Sequence, residues 1–296
     1  MAETAIDRKS DPPRAQVIDA HQHFLFPSRT PYPWMQDAAL TPLRRDFTPQ
    51  DLRPLLRANG VDKTVLVQTR SSLEETHQFL RIAAETDYVA GVVGWVDLCD
   101  SAVENVLEEL LAAETGRYLV GLRHQVHDEA NPYWLLQDPV QQAIAELGKR
   151  DLSYDFLARV RELPACLQTA RNHPQVRFVL DHLAKPDIRR GQWDEWLAAL
   201  APLAALPNVW VKLSGLVTEA DWQHWQPQDL QPYLAKTLEL FGSRRCLFGS
   251  DWPICELAAD YSRVKATLTG LPSEVFSNAL EVYKLQLQPP VSGPSY

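Results

Sequence analysis

The sequence has few of the features that assign a chain to a protein class at a glance. Only four of its 296 residues are cysteine, and none forms a Cys-x-x-Cys pair, so neither a disulfide framework nor a thiolate zinc site is expected. No apolar run approaches the roughly 20 residues that span a bilayer. The polar N-terminus contains no signal-peptide core. We therefore expect reduced thiols and a cytoplasmic protein.

Positive charge is also scarce. The chain has 29 lysines and arginines against 38 aspartates and glutamates, which gives a formal net charge of −9. Nucleic acids and anionic membranes are recognised through basic patches, so neither is an expected partner. The expected partner is a small molecule, and the sequence predicts no particular oligomeric state.

No glycine-rich phosphate-binding turn follows the first predicted strand, which disfavours an open, doubly wound nucleotide-binding sheet. The chain instead alternates short apolar strands with amphipathic helices. Most of the strands are apolar on both faces, as buried parallel strands are. Eight strands are predicted, at residues 17–24, 64–69, 90–98, 118–125, 151–156, 177–184, 209–216 and 246–252.

Helix signals lie between these strands. Thr48 and Pro49, for example, begin one helix with an N-cap and a first-turn proline. Eight strands alternating with helices over about 250 residues predict an α/β fold, namely a (β/α)8 TIM barrel formed as a single domain by residues 17–288. Residues 1–16 are predicted to be a flexible N-terminal tail, and residues 289–296 a C-terminal tail.

Two of the predicted connections are long and aromatic. Residues 25–47 follow the first strand and contain Trp34, and residues 217–228 follow the seventh strand. In a TIM barrel both connections lie over the C-terminal mouth, where active sites of this fold form. We expect them to wall a small-ligand pocket, with Trp34 either stacking on a substrate ring or packing within its loop.

Titratable residues end the first, sixth and eighth predicted strands. By strand alternation His21 and His23 share a face with Asp19, and two inward-pointing imidazoles at this spacing can chelate a cation. His182 ends the sixth strand and Asp251 the eighth, which neighbours the first in a closed barrel. Because buried charges without partners are costly, this convergence predicts a functional site. Its carboxylate can serve as a general base for water or as a metal ligand.

These motifs resemble those of the amidohydrolase superfamily, and more narrowly of its sugar-lactonase branch. The resemblance covers roughly residues 16–285. The stretches that carry it are Asp-Ala-His-Gln-His-Phe at 19–24, Tyr-Pro-Trp-Met at 32–35, Gly-Val-Val-Gly-Trp-Val-Asp-Leu at 91–98, Gly-Leu-Arg-His at 121–124, Val-Leu-Asp-His-Leu-Ala-Lys-Pro at 179–186, Lys-Leu-Ser-Gly-Leu-Val-Thr-Glu-Ala at 212–220 and Phe-Gly-Ser-Asp-Trp-Pro-Ile-Cys at 248–255.

The resemblance implies a hydrolase that opens a small aldonolactone of the L-fuconolactone type to the free aldonic acid. Asp251 would deprotonate a water that attacks the lactone carbonyl, while His182 would polarise that carbonyl. His21 and His23 would orient Asp251 directly or through a metal.

The number of metals follows from what the pattern lacks. Binuclear relatives carry a bridging lysine or acid on the fourth or fifth strand and a further histidine on the fifth. Here the fourth strand offers Arg123 and His124, and the fifth has neither lysine nor histidine. Two metals are therefore not expected. The choice between no metal and one divalent metal such as zinc stays open, with His21, His23, His182 and Asp251 as the candidate ligands.

Other polar residues are weaker candidates. Either Arg123 or the adjacent His124 faces the substrate, since alternation lets only one of them point inward; His124 would then assist catalysis and Arg123 would bind substrate. Gln68 and Lys185 are further candidates for substrate contact. Lys212 is expected to be structural, paired with Asp19 or Asp181. The remaining histidines considered, at positions 77, 127 and 173, are expected to be exposed.

Two alternative functions remain. A metal-dependent decarboxylase of carboxylated aromatic acids would use the same barrel with a tightly held divalent ion. A barrel that binds a sugar acid without converting it would not need the quartet of histidines and aspartate.

Overall fold

A computed structural model describes residues 15–286. The predicted C-terminal tail and all but two residues of the predicted N-terminal tail lie outside this range. All eight predicted strands are present, in one parallel sheet that follows the order of the sequence. They are β1 (Ile18–Gln22), β2 (Lys63–Val67), β3 (Val89–Gly94), β4 (Leu119–His124), β5 (Ser153–Phe156), β6 (Phe178–Leu180), β7 (Val209–Leu213) and β8 (Cys246–Phe248).

The sheet closes into a barrel between its first and last strands. Closure uses residues just beyond β8, because Gln22 forms a parallel bridge with Trp252. The amide of Asp251 donates to the carbonyl of His21 at 2.8 Å, and the amide of His23 donates to the carbonyl of Trp252 at 2.7 Å. The predicted TIM barrel is therefore confirmed, and its closure joins the two chain regions that carry the site.

Helices pack around the barrel and, in the case of the last one, beneath it. They are α1 (Pro49–Ala58), α2 (Leu73–Glu85), α3 (Val103–Ala112), α4 (Asp138–Lys149), α5 (Leu163–Asn172), α6 (Trp193–Ala204), α7 (Leu216–Glu219), α8 (Pro227–Phe241), α9 (Tyr261–Ala266) and α10 (Ala279–Val282). No helix between residues 15 and 286 is long and apolar enough to cross a membrane.

The apolar core has two layers. The larger layer lies between the sheet and the surrounding helices, and a smaller one fills the barrel interior. Val65, Val93 and Leu247 belong to this inner layer, as do Ala279 and Val282 of α10. Helix α10 therefore plugs the barrel end opposite the mouth, so that polar interior positions are confined to the upper part of the strands.

An irregularity in β1 decides which side chains reach the interior. Ile18 and Ala20 pack in the inner apolar layer, and the pairing of β1 with β2 shifts register between Asp19 and Gln22. Such a bulge re-aims the following side chains. The prediction that Asp19 shares a face with the two histidines is therefore wrong. Asp19 accepts a hydrogen bond of 2.8 Å from the hydroxyl of Tyr261 in α9.

Candidate active site

Four titratable side chains meet where β1, β6 and β8 end, and we call them the mouth cluster: His21, His23, His182 and Asp251. The Oδ1 atom of Asp251 lies 3.6 Å from Nε2 of His21, 3.3 Å from Nε2 of His23 and 3.9 Å from Nε2 of His182. The Nε2 atoms of His21 and His23 are 3.1 Å apart. All four residues are at least 96% buried. The structure thus brings together the quartet that the strand ends predicted.

Unusual backbone conformations aim two of these side chains. Asp251 has φ = 58°, and residues 182–185 have four consecutive positive φ values between 51° and 61°. Each such residue costs roughly 1–2 kcal/mol in the left-handed region. The turn is closed by the amide of Lys185, which donates to the carbonyl of His182 at 2.7 Å. The indole of Trp196 donates to the carbonyl of Leu183 at 2.7 Å and so helps to hold the turn.

Glycine is required beside this turn. Gly215 follows β7 with φ = +65°, and a Cβ atom there would lie 2.5 Å from Nδ1 of His182. The same Nδ1 atom is 2.8 Å from the hydroxyl oxygen of Ser214. The Ser-Gly pair thus both supports and makes room for the His182 ring.

The protonation states of the cluster favour catalysis or metal binding. Burial and the nearby Lys212 ammonium hold the pKa of His21 well below its ordinary value. Burial also lowers the pKa of His182, to about 4. Burial opposes ionisation of Asp251, but His182, His23 and His21 together bring the pKa of this carboxyl below its usual range. At neutral pH the site therefore presents the Asp251 carboxylate beside the uncharged rings of His21 and His182.

The donor set fits one divalent cation. Ligand atoms of His21, His182 and Asp251 all lie within 4.8 Å of one another. Nδ1 of His23 is 2.7 Å from the carbonyl oxygen of Val67, which fixes the proton on Nδ1 and leaves Nε2 free as a ligand. Two nitrogens bound to a tetrahedral zinc are about 3.3 Å apart, close to the spacing between His21 and His23.

A second group of charges lies next to the mouth cluster inside the barrel. We call it the buried ion cluster: Arg123, Asp155, Asp181, Lys212 and Tyr283. Nζ of Lys212 is 2.7 Å from Oδ2 of Asp155 and 2.9 Å from Oδ1 of Asp181. Arg123 Nη1 donates to Oδ2 of Asp181 at 2.9 Å, and the Tyr283 hydroxyl donates to Oδ2 of Asp155 at 2.7 Å. Lys212 is therefore paired with two carboxylates. Asp181 is one of the two partners that the sequence predicted, whereas Asp155, and not Asp19, is the other.

The buried ion cluster touches the mouth cluster at His21. Lys212 Nζ lies 3.0 Å from Nδ1 of His21, and Arg123 Nη1 lies 3.3 Å from its Nε2. Lys212, His21 and Arg123 together outweigh the burial of Asp181 and lower the pKa of its carboxyl. The cationic side chains of Lys212 and Arg123 lie on the inner side of the quartet, where they would repel a second metal ion.

A pocket of about 160 Å³ opens from the mouth cluster. Three of the predicted substrate-binding residues, Trp34, Arg123 and Lys185, lie in its wall. The indole of Trp34 donates to the carbonyl of Thr69 at 3.1 Å, and Nζ of Lys185 is 2.7 Å from Oε1 of Glu219. The full lining consists of His23, Trp34, Thr69, Arg123, Gln125, His127, Asp128, Leu157, His182, Lys185, Asp251 and Ile254.

Two predicted site residues, Gln68 and His124, do not line the pocket. Gln68 is fully buried outside the pocket lining and donates to the carbonyl of Arg123 at 3.0 Å, so it supports Arg123 rather than substrate. His124 also lies outside the lining. Its ring stacks on Trp134 with centroids 4.0 Å apart, and its Nδ1 accepts from the indole of Trp95 at 3.0 Å. These contacts make His124 a structural residue, while Arg123 is the one of the pair that points inward.

Part of the pocket wall was not predicted. Gln125, His127 and Asp128 follow β4 and line the pocket, although His127 was expected to be exposed. Its side chain is 16% exposed, and burial lowers its pKa to about 4. The usable signal was their position just after a barrel strand, where this fold places functional side chains. His173, also expected to be exposed, is 8% exposed, whereas His77 is exposed as expected.

A closed parallel barrel with such a cluster at the open end of its strands has the architecture of a TIM-barrel enzyme. A sequence profile of the amidohydrolase family matches residues 18–280, and the chain belongs to this family.

Curated relatives narrow the comparison. The L-fucono-1,5-lactonase of Burkholderia ambifaria is 41% identical over 252 residues, which cover 85% of this chain and 85% of that protein. The L-fucono-1,5-lactonase of Burkholderia multivorans is 40% identical over 257 residues, covering 83% of this chain and 85% of that protein. A crystal structure of an amidohydrolase from Burkholderia multivorans with bound zinc has a TM-score of 0.85 at 35% identity, covering 92% of this chain and 100% of that one.

Proposed function

We propose that this protein hydrolyses a sugar-derived 1,5-lactone to the free aldonic acid. The relatives named L-fucono-1,5-lactonase support this reaction at 40–41% identity over most of the chain. The observation that carries the proposal is the mouth cluster, in which Asp251 and three imidazoles converge at one end of a small pocket. A lactone is an ester, and its hydrolysis requires an activated water, an oxyanion donor and a proton for the leaving oxygen.

Asp251 is the proposed general base. Its carboxylate takes a proton from a water molecule as the water oxygen attacks the lactone carbonyl carbon. The Ser214 hydroxyl can donate to Nδ1 of His182, which leaves a proton on Nε2 of that ring. Nε2 then donates a hydrogen bond to the developing oxyanion. When the bond between the carbonyl carbon and the ring oxygen breaks, protonated Asp251 returns its proton to that ring oxygen.

One divalent metal such as zinc is part of the proposal. His21, His23 and Asp251 would hold it, because His23 already presents an unprotonated Nε2 atom and burial keeps the His21 ring neutral. His182 is within reach of the same ion, but as a ligand its Nε2 atom would have no proton to donate, so the two roles of His182 are alternatives. A bound divalent cation would lower the pKa of a coordinated water and polarise the substrate carbonyl.

Three wall residues position the substrate. Trp34 offers an indole face whose orientation is fixed by its hydrogen bond to Thr69. Lys185 is held at the rim by Glu219, and burial of Glu219 is outweighed by Lys185, so that the pKa of this carboxyl is lowered. The guanidinium of Arg123 lies at the base of the pocket and is 4% exposed.

The proposal is tested by following acid release at constant pH from a panel of sugar 1,4- and 1,5-lactones. The enzyme is assayed as purified, after chelation and after reloading with zinc, with its metal content measured in each state. We expect turnover of at least one 1,5-lactone and loss of turnover in Asp251→Asn. Release of no acid from any lactone would favour a binding barrel. Proton consumption with carbon dioxide release from a carboxylated aromatic acid would favour the decarboxylase alternative.

A cytoplasmic location is also part of the proposal. The four cysteines are free thiols, and three of them are buried. Free thiols of this kind are usual in reducing compartments.

A further inference from the structure

The turn after β4 faces the mouth cluster across the pocket. In a closed barrel of eight strands in sequence order, β4 and β5 stand opposite β8 and β1. Asp251 and His23 lie at the ends of β8 and β1, while Gln125, His127 and Asp128 follow β4. All of these side chains line the same pocket. A substrate whose carbonyl sits at Asp251 therefore extends the rest of its ring towards the turn after β4.

Two of these opposite side chains, Gln125 and Asp128, have hydrogen-bonding capacity that the protein does not use. Within residues 15–286 the side-chain amide of Gln125 has no hydrogen-bond partner. The Asp128 carboxylate meets only the His127 ring, with 3.2 Å between Oδ1 and Nε2, and the Asp128 side chain is 58% exposed. Nδ1 of His127 lies 3.3 Å from the carbonyl oxygen of Leu157, so both ring nitrogens of His127 already have a partner within the wall. The wall thus offers an anionic acceptor and an amide that the protein itself leaves largely unused, beside an imidazole that contacts the carboxylate.

The wall is also held in place before any ligand binds. The backbone amide of His127 donates to the carbonyl of Leu157 at the end of β5, at 3.2 Å. Arg161 donates to the carbonyls of His127 and Glu129 at 3.3 and 2.7 Å. Nε2 of His124 is 2.8 Å from Oε1 of Glu129, which ties the turn to the Trp134 stack. A preorganised wall loses little conformational entropy when it binds.

We propose that Gln125 and Asp128 form a subsite that binds the ring hydroxyl groups of the lactone, with His127 positioning the Asp128 carboxylate. The inference rests on the proposed lactone hydrolysis and adds the part of the site that distinguishes a polyhydroxylated ring from a plain cyclic ester. An aspartate carboxylate can accept hydrogen bonds from two neighbouring hydroxyl groups, and an amide can both donate and accept. Because a hydrogen bond to a charged group is strong, Asp128 contributes the largest share of this recognition.

The test compares two substrates that share the reacting group. A sugar 1,5-lactone carries the hydroxyl groups, whereas δ-valerolactone has the same six-membered ester ring without them. We expect Asp128→Asn to lower kcat/KM for the sugar lactone about tenfold or more. The loss for δ-valerolactone should be several times smaller, because that ring has no hydroxyl group to bind. Gln125→Ala should show the same selectivity with a smaller loss.

A matched control is Asp138→Asn. Asp138 is an exposed carboxylate at the start of α4, outside the pocket lining, and its substitution removes the same charge. It should alter neither substrate's kcat/KM. Equal losses on both lactones in Asp128→Asn, or no loss on either, would overturn the subsite and leave the lactonase proposal intact. Failure of the unsubstituted enzyme on every sugar lactone would instead overturn the proposed function and the subsite with it.

Discussion

The mouth cluster and the buried ion cluster are built from similar residue types, and they touch at His21, yet their charges are balanced differently. In the buried ion cluster Lys212 and Arg123 offset Asp155 and Asp181 within hydrogen-bonding distance. In the mouth cluster the Asp251 carboxylate meets only imidazoles, and no lysine or arginine of residues 15–286 pairs with it. A buried anion that meets only imidazoles and is open to a pocket is organised to bind a cation or move a proton, whereas a charge-balanced set is organised to hold the barrel together.

Substitution of Asp251 by asparagine breaks the mouth cluster and gives the largest expected effect. The variant loses the proposed base and a candidate metal ligand, so kcat for a sugar lactone should fall at least about 10³-fold. Its urea unfolding midpoint should stay near that of the unsubstituted protein or rise, because an incompletely paired buried charge has been removed. If Asp251→Asn kept a kcat within tenfold of that of the unsubstituted protein, the mouth cluster would not have the catalytic role that distinguishes it from the buried ion cluster.

Substitution of Lys212 by methionine breaks the buried ion cluster instead. It leaves Asp155 and Asp181 buried without their shared cation, and removing one partner of a buried ion pair typically costs 3–5 kcal/mol. We expect a fall of about this size in the free energy of unfolding, measured by urea denaturation. Lys149→Met, at a lysine whose side chain is 66% exposed, is the control and should change stability by less than about 0.5 kcal/mol. A small effect at Lys212 would show that the ion cluster does not stabilise the barrel.

Substitution of Gly215 by alanine tests whether the strained loop beside His182 has room for any side chain. The added Cβ meets the His182 ring at 2.5 Å in a residue with φ = +65°. Strain and overlap together should cost about 2–4 kcal/mol of stability and displace His182, so that kcat falls as well. Gly191→Ala is matched for backbone conformation, with φ = +67°, but its Cβ would meet no atom within 4 Å. Equal stability losses in both variants would remove the argument for close packing at His182.

The mouth cluster was predictable because each member lies at or just beyond the end of a strand in a recognisable motif, and parallel strands bring their ends to one rim. The apolar strands and helix caps likewise predicted the order of the elements. The prediction that side chains alternate strictly along β1 was wrong, because a bulge there directs Asp19 towards Tyr261 of α9. A bulge depends on how neighbouring strands pair, which a single strand's sequence does not reveal.

The remaining misses also depend on distant contacts. His127 looked like an exposed loop histidine until β5 placed the carbonyl of Leu157 against it. Asp155 interrupts an apolar strand, and only barrel closure shows that it faces Lys212. Tyr283 lies beyond the last predicted strand and reaches the interior because α10 turns back under the barrel. Each of these positions is set by tertiary packing rather than by local propensity.

The smallest expected effect is a loss of stability when the buried ion cluster loses one hydroxyl group. Tyr283→Phe removes the hydroxyl that donates to Oδ2 of Asp155, a buried hydrogen bond to a charged group worth roughly 1.5–3 kcal/mol. Tyr154→Phe is a matched control, because the Tyr154 hydroxyl is buried without a hydrogen-bond partner. The first variant should unfold at a lower urea concentration and the second at an equal or higher one. Both should keep kcat near that of the unsubstituted protein, since neither hydroxyl reaches the pocket. A loss of activity in Tyr283→Phe without a loss of stability would mean that the buried ion cluster takes part in the chemistry through Lys212 and His21.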